Sequence, residues 1–302
     1  MTNKASYYIA IIAAALLAGC TLNDPDEWEQ DVLLTFDPVL LVASKADAPT
    51  GEYPTDQPFG VDAWDYPVKG SGSSHLFLSA AKVSFDGSVW APAGGVLWPS
   101  KKRQVSFLAH SPFGKAASVS LDGGGVVFSG VDVLADQTDL LYSDLLEGLS
   151  KTGGGVVNVP FRHALCYVDF AMRTNALAGD KVEVKSVSLM ELSTTGSFNS
   201  LPQPIWKDLG TAHEVQYFAG SKEIGGSAQV LGPGLWTIPQ AVETYVHVTL
   251  VHTLGNGIVQ AYTMDSEKLS KHMEPGRHYT ITVTYLPEEG KVRLDETLYQ
   301  GL

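Results

Sequence analysis

Tyr279-Thr280-Ile281-Thr282-Val283-Thr284-Tyr285-Leu286 decides the fold class of this 302-residue chain. Tyr279, Ile281, Val283 and Tyr285 fall on one side of an extended backbone, and the three threonines fall on the other. Side chains alternate across a strand with period two, so the stretch reads as a half-buried strand of an antiparallel sheet. β-Branched and aromatic residues suit that pleated surface.

Working outward, similar runs occur at 104–109, 156–161, 165–172, 182–192 and 244–251, with Gly, Pro, Asn, Asp and Ser between them. Between Val184 and Val187 the apolar phase moves from even to odd positions, which predicts a β-bulge. Gly255-Asn256-Gly257 lies between two strand-like runs and reads as a hairpin loop. Only 138–149 suggests a short helix. The Gly153-Gly154-Gly155 triplet follows it and marks an expected boundary. The expected architecture is all-β, with two antiparallel β-sandwich domains in tandem, 31–152 and 153–302.

The N-terminus carries a different signal. Lys4 precedes an uncharged stretch rich in Ile, Leu and Ala, which has the form of a secretory signal over 1–19. It ends in Leu17-Ala18-Gly19-Cys20, which resembles the lipobox of bacterial lipoproteins. The alternative is an ordinary signal whose cysteine is incidental. On the first reading Cys20 becomes the lipidated first residue of the mature chain. Several acyl chains on one cysteine would anchor it stably to a membrane, where a single chain binds only marginally.

Residues 20–30 include Asp24, Pro25, Asp26 and Glu27, an acidic tether that should stay extended and solvated. Those acidic residues also look like the surface-export signal of Bacteroidota lipoproteins. Loss of Lys4 with the signal leaves 19 basic against 33 acidic residues, a formal charge of −14, which argues against nucleic acid as a partner. The remaining cysteine, Cys166, has no free thiol to pair with if Cys20 is lipidated, and reads as a small buried hydrophobe.

Signatures of catalysis are absent from the sequence: no G-x-S-x-G, no H-E-x-x-H, no Walker A loop and no Cys-x-x-Cys. His247 and His252 are five apart, so an uninterrupted strand puts them on opposite faces and works against shared metal ligation. No cofactor is called for. Trp28, Trp64, Trp90, Trp98, Trp206 and Trp236 are expected mainly in the core, with a sugar-stacking platform as the alternative if several are exposed together.

A series of short motifs, in order and spacing, resembles the fimbrillin family of Bacteroidota, the subunits and accessory proteins of type V pili. They include Leu34-Thr35-Phe36, Pro58-Phe59-Gly60-Val61-Asp62-Ala63-Trp64, Leu97-Trp98-Pro99, Val159-Pro160-Phe161-Arg162-His163-Ala164-Leu165, Thr237-Ile238-Pro239-Gln240 and Pro275-Gly276-Arg277-His278-Tyr279. The resemblance implies transthyretin-like β-sandwiches, a non-enzymatic role in building or anchoring fimbriae, and location at the outer membrane and cell surface. It also implies partners: other fimbrial subunits, the outer membrane through lipid, and a trypsin-like processing protease. That protease cuts after the first strand, and a C-terminal segment of another subunit then fills the groove.

The residues add an argument of their own. Over 31–42 the even positions Val32, Leu34, Phe36, Pro38, Leu40 and Val42 are all apolar. Removing such a strand, about 40 Å long when extended, would leave a long apolar groove that strongly favours another strand. Alternatively 31–42 is the permanent first strand, as in an anchor or accessory subunit. The position matching the family's cleavage site is Lys45-Ala46, with lysine where arginine is usual, and the first arginine of the chain is Arg103. A protease that selects the planar guanidinium should cut there poorly. The rival expectation, from another functional class, is a glycan-binding surface lipoprotein.

Overall fold

The computed structural model describes residues 31–41, 49–68, 73–115, 118–121, 125–151, 155–295 and 297–302. Among them every regular element is a strand. The first half supplies β1 (Thr35–Leu41), β2 (Pro49–Glu52), β3 (Phe59–Pro67), β4 (His75–Phe85), β5 (Trp90–Pro92), β6 (Arg103–Ser111), β7 (Ser118–Ser120), β8 (Gly125–Asp132), β9 (Leu141–Ser143), β10 (Leu146–Leu149) and β11 (Val156–His163). The second half supplies β12 (Cys166–Thr174), β13 (Lys181–Leu192), β14 (Thr195–Asn199), β15 (Ile205–Lys207), β16 (His213–Ile224), β17 (Gln229–Val230) and β18 (Leu235–Thr237). It continues with β19 (Ala241–Thr244), β20 (Val246–Thr253), β21 (Val259–Asp265), β22 (Leu269–His272), β23 (Arg277–Leu286), β24 (Lys291–Leu294) and β25 (Leu298–Gly301).

In the second half two sheets face each other as a sandwich. One has the order β17-β12-β23-β24, with β18 and β25 off the path, and the other β16-β13-β20-β21. Phe170, Met172, Ile281, Val283 and Tyr285 from the first sheet pack with Val182, Val187, Leu189, Val248 and Leu250 from the second. The expected inward face of β23 is therefore the buried one. The bulge falls where the phase change put it, between Val184 and Ser186. β20 and β21 pair as the hairpin around Gly255-Asn256-Gly257.

The first half departs from a plain sandwich. The order β6-β3-β4-β5-β1-β11-β9 returns to β6 through the β6–β9 pairing, so seven strands close into a barrel-like ring. Phe36, Phe59, Phe107, Val159 and Phe161 fill its interior. A third cluster, with Leu108, Tyr142, Phe128, Phe198 and Ile238, packs the outside of the ring against the sheet β15-β14-β8-β7. Because β8 and β14 pair, strands from either side of Gly153-Gly154-Gly155 share that sheet.

Three further expectations are corrected. The stretch 138–149 is not helical but holds β9 and β10. β9 pairs with β11 on one edge and β6 on the other, and its neighbouring side chains enter two different cores, Leu141 inside the ring and Tyr142 outside. A strand buried on both faces shows no polar alternation, and its apolar run mimics a helix. The sheets are also not purely antiparallel, since β1 runs parallel to β11 and β12 to β23. The run at 244–251 is divided at Tyr245 between β19 and β20.

Candidate strand-acceptor site

β1 is the stave of the ring that the sequence singled out. Its regular part is shorter than 31–42, spanning Thr35–Leu41, with Leu33 added by an isolated bridge to Leu97. Leu34, Phe36 and Pro38 are buried, and Val32 and Leu40 are half-buried against the same core. Asp37 faces solvent. Phe36 sits between two edge-on rings, Phe59 at 6.0 Å and Phe107 at 5.9 Å. Such pairs add about 0.5–1.5 kcal/mol to the burial itself. Val42, Lys45, Ala46 and Cys20 lie outside the described residues, with 42–48 linking β1 to β2.

The two walls of the β1 slot differ. On one side β11 pairs with β1 continuously, from Thr35↔Val156 to Leu40↔Phe161. On the other the contacts are piecemeal: Leu33↔Leu97, Phe36↔Trp90, and then β2 from Val39↔Glu52 onward. Between the first two of these an apolar groove of about 520 Å³ opens beside Leu33 and Thr35, with Phe85, Val89 and Pro92 in its wall.

Backbone groups hold the start of β1 from both sides. Leu34 N–H donates to Val96 O at 2.8 Å, and Trp98 N–H donates to Val32 O at 2.9 Å. Opposite them, Thr35 N–H donates to Gly155 O at 3.0 Å. The buried Trp98 side chain reaches the same carbonyl, with Nε1–H donating to Gly155 O at 2.8 Å. Gly155 has φ +67°, and a Cβ there would run into the Leu33 carbonyl oxygen and Val32 Cγ1. A residue other than glycine is both conformationally strained and sterically blocked. Neither Trp98 nor Gly155 was assigned to the site from sequence. The Leu97-Trp98-Pro99 motif and the triglycine were visible, but nothing local in the chain joins them.

The chain's C-terminal segment lies on the outer edge of β23. β24 and β25 pair with successive parts of that strand, Leu286 back to Val283 and Thr280 back to Arg277. Asp295 pins the junction between them: its Oδ2 accepts from Arg173 Nη2 at 2.9 Å and from Thr284 Oγ1 at 2.7 Å. Before that point Val292 is buried in the core. Beyond it Leu298, Tyr299 and Gln300 are exposed, and Tyr299 lies under the cations of Lys271 and Arg277.

Other candidate residues take structural places. His247 and His252 do face opposite ways, the first bonded to Asp265 at 2.6 Å and the second to Asp180 at 2.9 Å. No group of three or more metal-capable side chains occurs among the described residues. Cys166 is buried, its thiol pushed up by desolvation, and its Sγ–H donates to Thr237 O at 3.3 Å. Trp90 and Trp98 are buried, while Trp64, Trp206 and Trp236 are half-buried.

A family profile described as fimbrillin-like matches residues 48–297. No curated protein matches the chain. Among solved structures, a fimbrial protein from Bacteroides vulgatus superposes with a TM-score of 0.64 at 13% identity, covering 90% of this chain and 99% of that one. A protein provisionally assigned to cell adhesion from Bacteroides ovatus gives 0.57 at 15% identity, covering 90% and 98%. One of the same provisional assignment from Bacteroides uniformis gives 0.54 at 19% identity, with the same coverages. At these identities the likeness is one of fold.

Proposed function

The chain belongs to the fimbrillin-like family, and from that premise we propose that it is a non-enzymatic fimbrial subunit or fimbria-associated lipoprotein, lipid-anchored through Cys20 at the outer membrane and exposed at the cell surface. Its assembly reaction is strand replacement. Cleavage at Lys45-Ala46, in the segment linking β1 to β2, removes the anchor and β1 together, and another subunit's C-terminal segment enters the vacated slot.

The observation that carries this reading is the burial of Leu34, Phe36 and Pro38 on one face of β1, in a slot where only one wall is continuously paired. With β1 gone, Phe59, Phe107 and Trp98 would be uncovered, and apolar surface of that kind favours a replacement strand.

The donor is β25. Asp295 and the buried Val292 keep β24 in its own core, so the segment free to leave begins just after Asp295. Lysine at the cleavage position, where the planar guanidinium of arginine is usual, supports slow or conditional polymerisation. An anchor or accessory subunit is the same molecule left uncut.

N-terminal sequencing of material sheared from the cell surface tests the proposal. Ala46 as first residue identifies a stalk subunit. A blocked, lipidated Cys20 on every recovered molecule identifies an anchor and excludes strand replacement in this chain.

A further inference from the structure

Trp98 touches both walls of the β1 slot. Its backbone N–H holds Val32 O on one side, and its indole passes beneath β1 to Gly155 O on the other, with the ring edge-on to Phe107 at 5.9 Å. The indole bond does not involve β1. It joins the 96–98 segment to the start of β11, two pieces of chain otherwise separated by the width of one strand.

We propose that Trp98 and Gly155 form a crossbeam that keeps the slot open at one strand's width after β1 leaves, and that they select an extended peptide running parallel to β11. The proposal rests on the strand-replacement reading and identifies the residues that position the incoming strand. Gly155 O accepts from both Trp98 Nε1 and Thr35 N, so departure of β1 removes one donor and leaves the other in place. The groups that grip β1 here, Val96 O, Trp98 N–H and Gly155 O, all belong to the main chain and all remain.

Main-chain groups read direction and register rather than side-chain identity. An incoming strand must offer a carbonyl where Val32 has one and N–H groups where Leu34 and Thr35 have theirs. The missing Cβ of Gly155 leaves room for its next carbonyl, where Leu33 O now sits. A strand of opposite direction presents these groups out of phase. Trp98 is therefore a positioning residue, and a wall held apart in advance lowers the cost of ordering the complex.

The test uses the full chain with a site-specific protease sequence inserted in 42–48 and cut in the folded state. The cut chain is diluted until resident β1 dissociates, and binding of a fluorescent peptide of residues 31–41 to the vacated slot is titrated by anisotropy. The cut parent should take up the peptide. Trp98→Phe, which keeps a ring and loses the N–H, should weaken uptake about tenfold, the worth of one well-made hydrogen bond. Gly155→Ala should weaken it further. Trp206→Phe deletes a comparable indole bond, to Ala164 O at 2.7 Å in another part of the fold, and should leave uptake unchanged.

A peptide of residues 31–41 methylated on the Leu34 and Thr35 nitrogens, which cannot donate to Val96 O and Gly155 O, should not enter. Parental uptake by Trp98→Phe and Gly155→Ala, or equal uptake of the methylated peptide, overturns the crossbeam and leaves strand replacement standing. No uptake by the cut parent overturns both. If Trp98→Phe does not fold, the plain and methylated peptides on the parent still decide.

Discussion

The N–H of Ala80 donates to Asp62 Oδ1 at 2.9 Å across β3 and β4, and Ala80 itself sits at φ +45°. The register of β3 on β4 shifts between Val61 and Ala63, so β4 sets two residues, Ser79 and Ala80, opposite Asp62 alone. Asp62 is 6% exposed, and the bond it accepts satisfies a bulge N–H that the ladder cannot. Ala80→Gly relieves the left-handed conformation and should stabilise the fold by up to about 1 kcal/mol. Asp62→Ala should cost about 1–3 kcal/mol by orphaning that N–H. Urea unfolding of the two variants checks both signs, and a destabilised Ala80→Gly would refute the strain argument.

His110 makes stability depend on pH. It lies on β6, buried against Gly60, and desolvation holds its imidazole down to about 4. A folded value below the unfolded one, near 6.5, means that the unfolded chain binds the proton first. The stabilisation is therefore fully present above pH 6.5 and is lost as pH falls through about 4. The loss amounts to about 3 kcal/mol. Asp62 works the other way, because desolvation raises its carboxyl, so its contribution is greatest below the ordinary carboxylate range and fades as pH rises. The histidine's own window runs from pH 6.5 down to about 4. Unfolding free energies measured across that interval should fall in the parent and flatten in His110→Phe; parallel slopes would show that the acid sensitivity lies elsewhere.

How much of this was legible in the sequence depends on how local the cause is. The face of β23, the bulge after Val184 and the hairpin at Gly255-Asn256-Gly257 follow from periodicity and turn chemistry within one stretch of chain. The burial of Leu34 and Phe36 follows in the same way. Closure of the ring does not, because it is made by β6 and β9, two strands far apart in sequence, and β9 carries no alternation that would mark it as a strand. The parallel course of β1 beside β11 and the meeting of Trp98 with Gly155 across 57 positions are likewise products of topology. Residues inside elements could be read from the sequence, whereas those that join elements could not.

The proposed lipidation of Cys20 predicts a covalent mark. Metabolic labelling with a palmitate analogue should tag the protein, and Cys20→Ala should remove the tag and release the chain from the membrane fraction. The cysteine is the sole acceptor on this reading, since Cys166 is buried with its thiol pushed up. Label persisting in Cys20→Ala would dispose of the lipobox.

The C-terminal segment gives the sharpest contrast between stability and assembly. Val292 of β24 is 2% exposed in the core of the second half, and Val292→Ala should cost about 1–3 kcal/mol. β25 lies on the same edge of β23 but leaves Leu298 and Tyr299 64% and 57% exposed, and Lys271 and Arg277 hold the tyrosine from the surface. Exposed cation–π contacts contribute about 0.5–1 kcal/mol. Ending the chain after Glu296 should therefore lower stability by no more than about 2 kcal/mol, mostly through the lost pairing with Arg277–Thr280. If β25 is the donor, the same truncation should abolish polymerisation of processed protein while the truncated chain still accepts a donor from an intact copy, capping filaments rather than extending them. Melting curves and filament length in mixtures of intact and truncated chains separate the two effects. Filaments of undiminished length from truncated protein alone would assign the donor strand to another part of the chain.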